Sequence, residues 1–184
     1  MDEKTLRKTY GMVAGLVVIA TAMSAWGWPE LMRRRQATHA MEVLGQIARG
    51  AHIYYVKPRL GDYGERMACQ FPQGKIFSTP AASCCDSSVR LDGTNHCDPA
   101  KTDWNRSLWN ALKVEVKEPQ GFVYHYEASG TFADARYKIT AISDLDCDGV
   151  YATYVYEGQG DSKAVAENCV LNTRPTFRAI NLGE

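Results

Sequence analysis

The chain has 184 residues, with 21 basic and 21 acidic side chains and no net charge at neutral pH. A balanced chain of this kind presents no basic surface to phosphates, which argues against a nucleic-acid partner. All six cysteines fall from Cys69 onward. An even set confined to one small region fits disulfides in an oxidising compartment better than zinc, since no pair has the C-x-x-C spacing.

The first element is apolar. Residues 1–11 carry Lys4, Arg7 and Lys8 and read as a short cytoplasmic basic leader, yet Thr9 to Pro29 contains no acidic or basic side chain. At ~1.5 Å per helical residue that stretch is long enough for a ~30 Å hydrocarbon core, and the span is placed at 12–28. Trp26 and Trp28 supply an aromatic belt at its end, and Arg33, Arg34 and Arg35 a cationic collar beside lipid head groups or solvent. A cleaved secretory signal would be shorter and end at small residues, as at Ala20-Thr21-Ala22. The belt and the unbroken pattern beyond it favour a retained single span.

Residues 29–57 form the second element, an amphipathic stem. Ala37, Ala40, Met41, Leu44, Ile47, Ala48, Ala51 and Tyr54/Tyr55 recur at three-four spacing and make one helical face apolar. Met41, Leu44 and Ile47 are expected to face a sheet or a neighbouring stem, with Glu42, Gln46 and Arg49 outward. Pro58 should end the helix, because the residue before proline is pushed out of helical backbone.

The remaining residues, 58–184, make one ordinary domain. Residues 59–101 are rich in Gly, Pro, Ser, Asp and Asn and read as a long loop with a short strand at Gly74–Phe77. Asp103 is expected to cap a short helix with Trp104, Leu108, Trp109 and Leu112 on one face. Alternating segments then predict strands at Gly121–Ala128, Thr131–Ile142 and Val150–Tyr156, and weaker ones at Asn168–Leu171 and Thr176–Ile180. Glu127 to Gly130 supplies a turn, so the fold class is α+β, a long helix packed on an antiparallel sheet. Six cysteines allow fifteen pairings; the expectation is two bridges among Cys69, Cys84, Cys85 and Cys97, and Cys147 with Cys169.

One motif carries chemistry. Asp144, Asp146 and Asp148 alternate ahead of Gly149, so hard oxygen donors share one side of a tight loop, as in the first half of a calcium loop. Val150 comes next as a further donor position, and Asp134 or Glu157 could complete the shell. A full EF-hand is excluded, since twelve positions from Asp144 stands Val155 instead of glutamate. The plain alternative is a polar turn whose aspartates bond their own backbone. Catalysis has little support. His39, His52, His96 and His125 are scattered, with no G-x-S-x-G, H-E-x-x-H or phosphate loop around them.

The order of these parts resembles the type IV pilin and pseudopilin family. WPELMRRRQATHAMEVLGQIARGAHIYY is similar to the second half of a pilin stem, with Pro29 at the kink. TPAASCCD, Cys97-Asp98-Pro99, Trp104, Trp109 and DLDCDG are similar to pilin-like heads in which a double cysteine precedes a tryptophan helix and an acidic loop. The resemblance implies processing, with methylation, at Gly11-Met12, and a stem that packs beside its neighbours. Family members carry glutamate five residues after the cut, where this chain has Leu16. That departure points to a minor or divergent subunit, or an uncleaved relative. The implied protein is a non-catalytic subunit of a type IV pilus or type II secretion-like filament. It would sit in the inner membrane with its head in the periplasm or at the cell surface. Its partners would be membrane lipid and other pilin-like subunits, not nucleic acid or a small-molecule substrate. The alternative is a monomeric, membrane-anchored, calcium-stabilised domain that binds an extracytoplasmic ligand.

Overall fold

The computed structural model describes residue 35 and residues 37–181. The expected leader, the apolar span at 12–28, Gly11, Met12, Leu16 and Pro29 lie outside the described residues. Among the described residues no helix is long and apolar enough to cross a membrane. The chain divides into two compact units, and everything below, Ala37 apart, belongs to the second, Thr38–Glu184.

Helix α1 runs through residues 37–56 and stops at the expected place, just before Pro58. Its three-four stripe is sealed: Ala40, Leu44, Ile47, Ala51 and Tyr55 are wholly buried. Met41 departs from the expectation. It is 45% exposed, because it sits on the outward side of the helix beside Glu42. Tyr55 fixes the end of α1, packing on Phe71 with ring centroids 4.9 Å apart and donating its hydroxyl to the Phe132 carbonyl at 3.0 Å.

Five strands follow: β1 (Gly74–Thr79), β2 (Phe122–Ser129), β3 (Arg136–Ser143), β4 (Ala152–Gln159) and β5 (Thr176–Ile180). They form one antiparallel sheet in the order β1-β2-β3-β4-β5. The coarse class is therefore α+β, an antiparallel sheet with a helix and three disulfides; the first half of the expected long helix lies outside the described residues. Period-two alternation turns Phe122, Tyr124, Tyr126, Tyr137, Ile139, Ala141 and Tyr154 inward, where all are buried. A short helix α2 (Ser107–Leu112) closes the core, with Trp109 donating to the Thr79 hydroxyl at 2.9 Å. Its cap is Arg106 rather than Asp103, whose carboxylate instead holds Arg106 Nε at 2.9 Å. Trp104 lies ahead of α2 and packs back onto Trp109.

Two strand expectations fail. The β2–β3 connection is not a tight turn followed by strand from Thr131; residues Phe132–Asp134 form a 3-10 turn. The Phe132 amide donates to the Cys69 carbonyl at 2.7 Å, and its backbone is left-handed (φ 51). Gly160 lies so close that a Cβ there would overlap the Phe132 carbonyl oxygen. Nor do residues 168–171 form a strand; they keep only an isolated bridge, Val165 to Asn168. Asp161 orders that connection instead, its carboxylate accepting from the Lys163 and Asn172 amides at 2.9 and 3.0 Å. Those two amides hold its carboxyl below the usual carboxylate range.

All six cysteines are bridged, but not as expected: Cys69 to Cys169, Cys84 to Cys97 and Cys85 to Cys147. Only one bridge stays within the cysteine-rich loop. The adjacent pair Cys84-Cys85 branches, one side chain closing its own loop and the other reaching the β3–β4 connection.

Candidate functional site

The β3–β4 connection carries the aspartate motif. β3 delivers Asp144 buried (7% exposed), while Asp146 and Asp148 point to solvent. Asp144 is the hub: Oδ1 accepts from the Asp148 amide and Oδ2 from the Gly149 amide, each at 3.0 Å. Asp148 Oδ1 accepts from the Val150 amide at 2.7 Å. Left-handed backbone at Cys147 (φ 63) and Gly149 (φ 90) bends the loop back on itself. The Cys85–Cys147 bridge pins it from outside, and Asn95 Nδ2 donates to the Leu145 carbonyl at 3.1 Å.

One carboxylate oxygen from each of Asp144, Asp146 and Asp148 falls within 4.8 Å of the others. Oxygens that share one calcium ion at 2.3–2.6 Å lie no farther apart than about twice that distance, so this donor set fits a hard cation. The other expected ligands are elsewhere. Asp134 sits in the β2–β3 connection at the opposite end of the sheet. Glu157 lies five residues up β4 from Ala152, opposite Lys138, and is paired with Arg178 at 2.9 Å. Neither completes a shell with Asp144, because strand geometry carries them away by about 3.3 Å per residue. Val150 remains in the loop, its side chain exposed.

The histidines are dispersed. His39 and His52 are on α1, and His125 is half-buried on the outer face of β2. Burial lowers the pKa of His125 below 6.5, and the charge of Lys75 adds to this. His96, in the cysteine-rich loop, is lowered by burial and by the charge of His39.

A second feature escaped sequence reasoning. The outer face of the sheet, at the end away from the aspartate loop, holds an open cleft of about 1020 Å3 reaching from Lys75 to Thr176. One row across it alternates in sign: Lys75 faces Glu127, Glu127 faces Lys138, and Lys138 faces Glu157. Lys75 and Glu127 pair at 3.3 Å, and Arg178 caps Glu157. Each of these residues occupies an outward position of its strand, a signal visible in the alternation. Which strands lie side by side, however, is not written in any one segment.

A scan against protein-family models finds no match to this chain, and searches of curated proteins and of solved structures find none either.

Proposed function

We propose that the chain is a pilin-like subunit, minor or divergent, of a cell-surface filament of the type IV pilus or type II secretion kind, structural rather than catalytic. The observation that carries this reading is the two-sidedness of α1. Its stripe from Ala40 to Tyr55 is consumed by its own sheet, yet its opposite side keeps Met41 and Ile53 45% and 48% exposed, flanking Arg49. A helix with a spent face and a half-apolar free face suits packing beside copies or relatives of itself. The uncharged stretch from Thr9 to Pro29, continuous in sequence with that helix, suits the same stem. In this reading the head stands in the periplasm or on the cell surface, the processing point is Gly11-Met12, and calcium sits on Asp144, Asp146 and Asp148.

The test is assembly. Cysteines introduced at Glu42 and Arg49, on the exposed side of α1, should crosslink to other subunits in intact cells. Replacing residues 9–29 with an unrelated membrane helix should abolish filament display or secretion. The open cleft favours one other reading, a monomeric anchored ligand-binding domain. Under it the crosslinks stay absent and the helix swap keeps full function, an outcome that would overturn the filament proposal.

A further inference from the structure

We propose that the outer-face cleft is a binding site for an extended acidic polysaccharide, held by Arg136, Lys138 and Arg174. The first argument is unspent positive charge. Among the described residues, the side chains of these three cations make no ion pair and no hydrogen bond, whereas Lys75 and Arg178 are paired with carboxylates. Four cations (Lys75, Arg136, Lys138, Arg174) line the cleft against three carboxylates (Glu127, Asp134, Glu157), and Arg178, outside the lining, pairs with Glu157. Both glutamates are already paired, which leaves Asp134 as the one carboxylate of the lining set against three unpaired cations. Guanidinium groups bind carboxylates through two parallel donors, which makes arginine the apt residue for this task.

The second argument is placement. Arg136 on β3 lies opposite Gln159 on β4. On the far side of Gln159, Thr173 donates its hydroxyl to the Gln159 carbonyl at 2.6 Å and so fixes the backbone that carries Arg174. The two arginines thus flank one strand, about 10 Å apart at two strand spacings. That is the scale of alternate acid groups on a uronate chain. Ser129, Gln159, Thr173 and Thr176 between and around them offer hydroxyl and amide partners for sugar hydroxyls.

The third argument is the direction of the cleft. It crosses the strands, so its floor is side chains and not free backbone. A peptide laid there would leave its own amides unpaired, since strand addition happens along an edge. Single-stranded nucleic acid lacks a stacking platform, because the one aromatic ring in the lining, Tyr137, is 6% exposed. A volume of about 1020 Å3 with open ends takes several sugar units of a longer chain.

The experiment is calorimetric titration of the full-length protein in detergent micelles with a galacturonate hexamer, at about 50 and about 300 mM salt. Its fully methyl-esterified form, hexaglutamate and inorganic phosphate serve as competitors of stated chemistry. The acidic hexamer should bind, more weakly at the higher salt, and the ester should not. Arg136→Gln/Arg174→Gln should weaken binding roughly tenfold or more with an unchanged melting temperature. Lys117→Gln, an exposed cation paired with Glu115 away from the cleft, should bind as the parent does. The proposal is overturned by absence of binding, by equal binding of the ester, by tighter binding of hexaglutamate or phosphate, or by a double variant that binds like the parent. The binding is read on the solubilised subunit, so failure here leaves the filament reading untouched, and failure of assembly leaves this site untouched.

Discussion

At the scale of single residues, Asp144 and its neighbours separate two roles that the motif presents as one. Asp144 builds the loop, since both its oxygens hold backbone amides; Asp148 holds the Val150 amide alone, and Asp146 lends charge. Asp144→Ala should therefore destabilise with or without calcium, by roughly 1.5–3 kcal/mol for each amide bond lost to a charged acceptor. Asp146→Ala should matter only when calcium is present. If the loop takes calcium as proposed, the ion at a hundred times its dissociation constant should add roughly 2.7 kcal/mol to the parent. Thermal melts in calcium and in EGTA check both statements, and a parent melt indifferent to EGTA would reduce the motif to a turn. His125 yields a second expectation. It is packed among Lys75, Glu127, Lys138 and Thr140; burial, then Lys75, lowers its folded pKa below the ordinary 6.5. The unfolded chain therefore takes up the proton first as the solution is acidified. The stability held above pH 6.5 is lost as pH falls through the depressed folded value. Melting temperatures from pH 7.5 to 5 should fall less steeply in His125→Gln than in the parent; parallel curves would remove His125 from the account.

Elements show where sequence patterns are reliable. The α1 stripe and its stop before Pro58 were legible because three-four spacing and proline sterics act locally. The β2–β3 connection was not, although a clue was present. Phe132 is an even position while Tyr137 and Ile139 are odd, so one unbroken strand could not turn all three inward. Two glycines of α1 give a paired test. A Cβ on Gly45 would meet only Arg49 Nη1 at 3.5 Å, an ordinary contact, whereas one on Gly50 would overlap the carbonyl oxygen of Leu112 at the end of α2. Gly45→Ala should stabilise by up to about 1 kcal/mol through helix propensity. Gly50→Ala should cost roughly 1–3 kcal/mol as overpacking outweighs the same gain. Urea midpoints of the two variants should move in opposite directions, and a shared direction would mean that α1 and α2 do not meet as described.

For the whole molecule, the unreadable part was everything decided by distance along the chain. The antiparallel order followed from neighbouring strands, but two of the bridges join residues 62 and 100 positions apart. Nothing in local spacing selects those partners. The cleft is likewise assembled from the outer faces of several strands and the segment before β5. The branching at Cys84-Cys85 has a consequence for how the molecule is made. If the head is exported as proposed, Cys69, Cys84, Cys85 and Cys97 reach the oxidising compartment well before Cys147 and Cys169. An oxidant acting at once would join Cys69 or Cys85 to the wrong neighbour. The head should thus depend on reshuffling catalysis as well as on oxidation. Produced in cells without a disulfide isomerase, it should accumulate bridges confined to those four early cysteines, as peptide mapping under non-reducing conditions would reveal. Native pairing at full yield in such cells would mean that the sheet forms before its thiols react. Two adjacent cysteines with separate destinies thus make the order of biosynthesis, and not only the final geometry, a condition for reaching this fold.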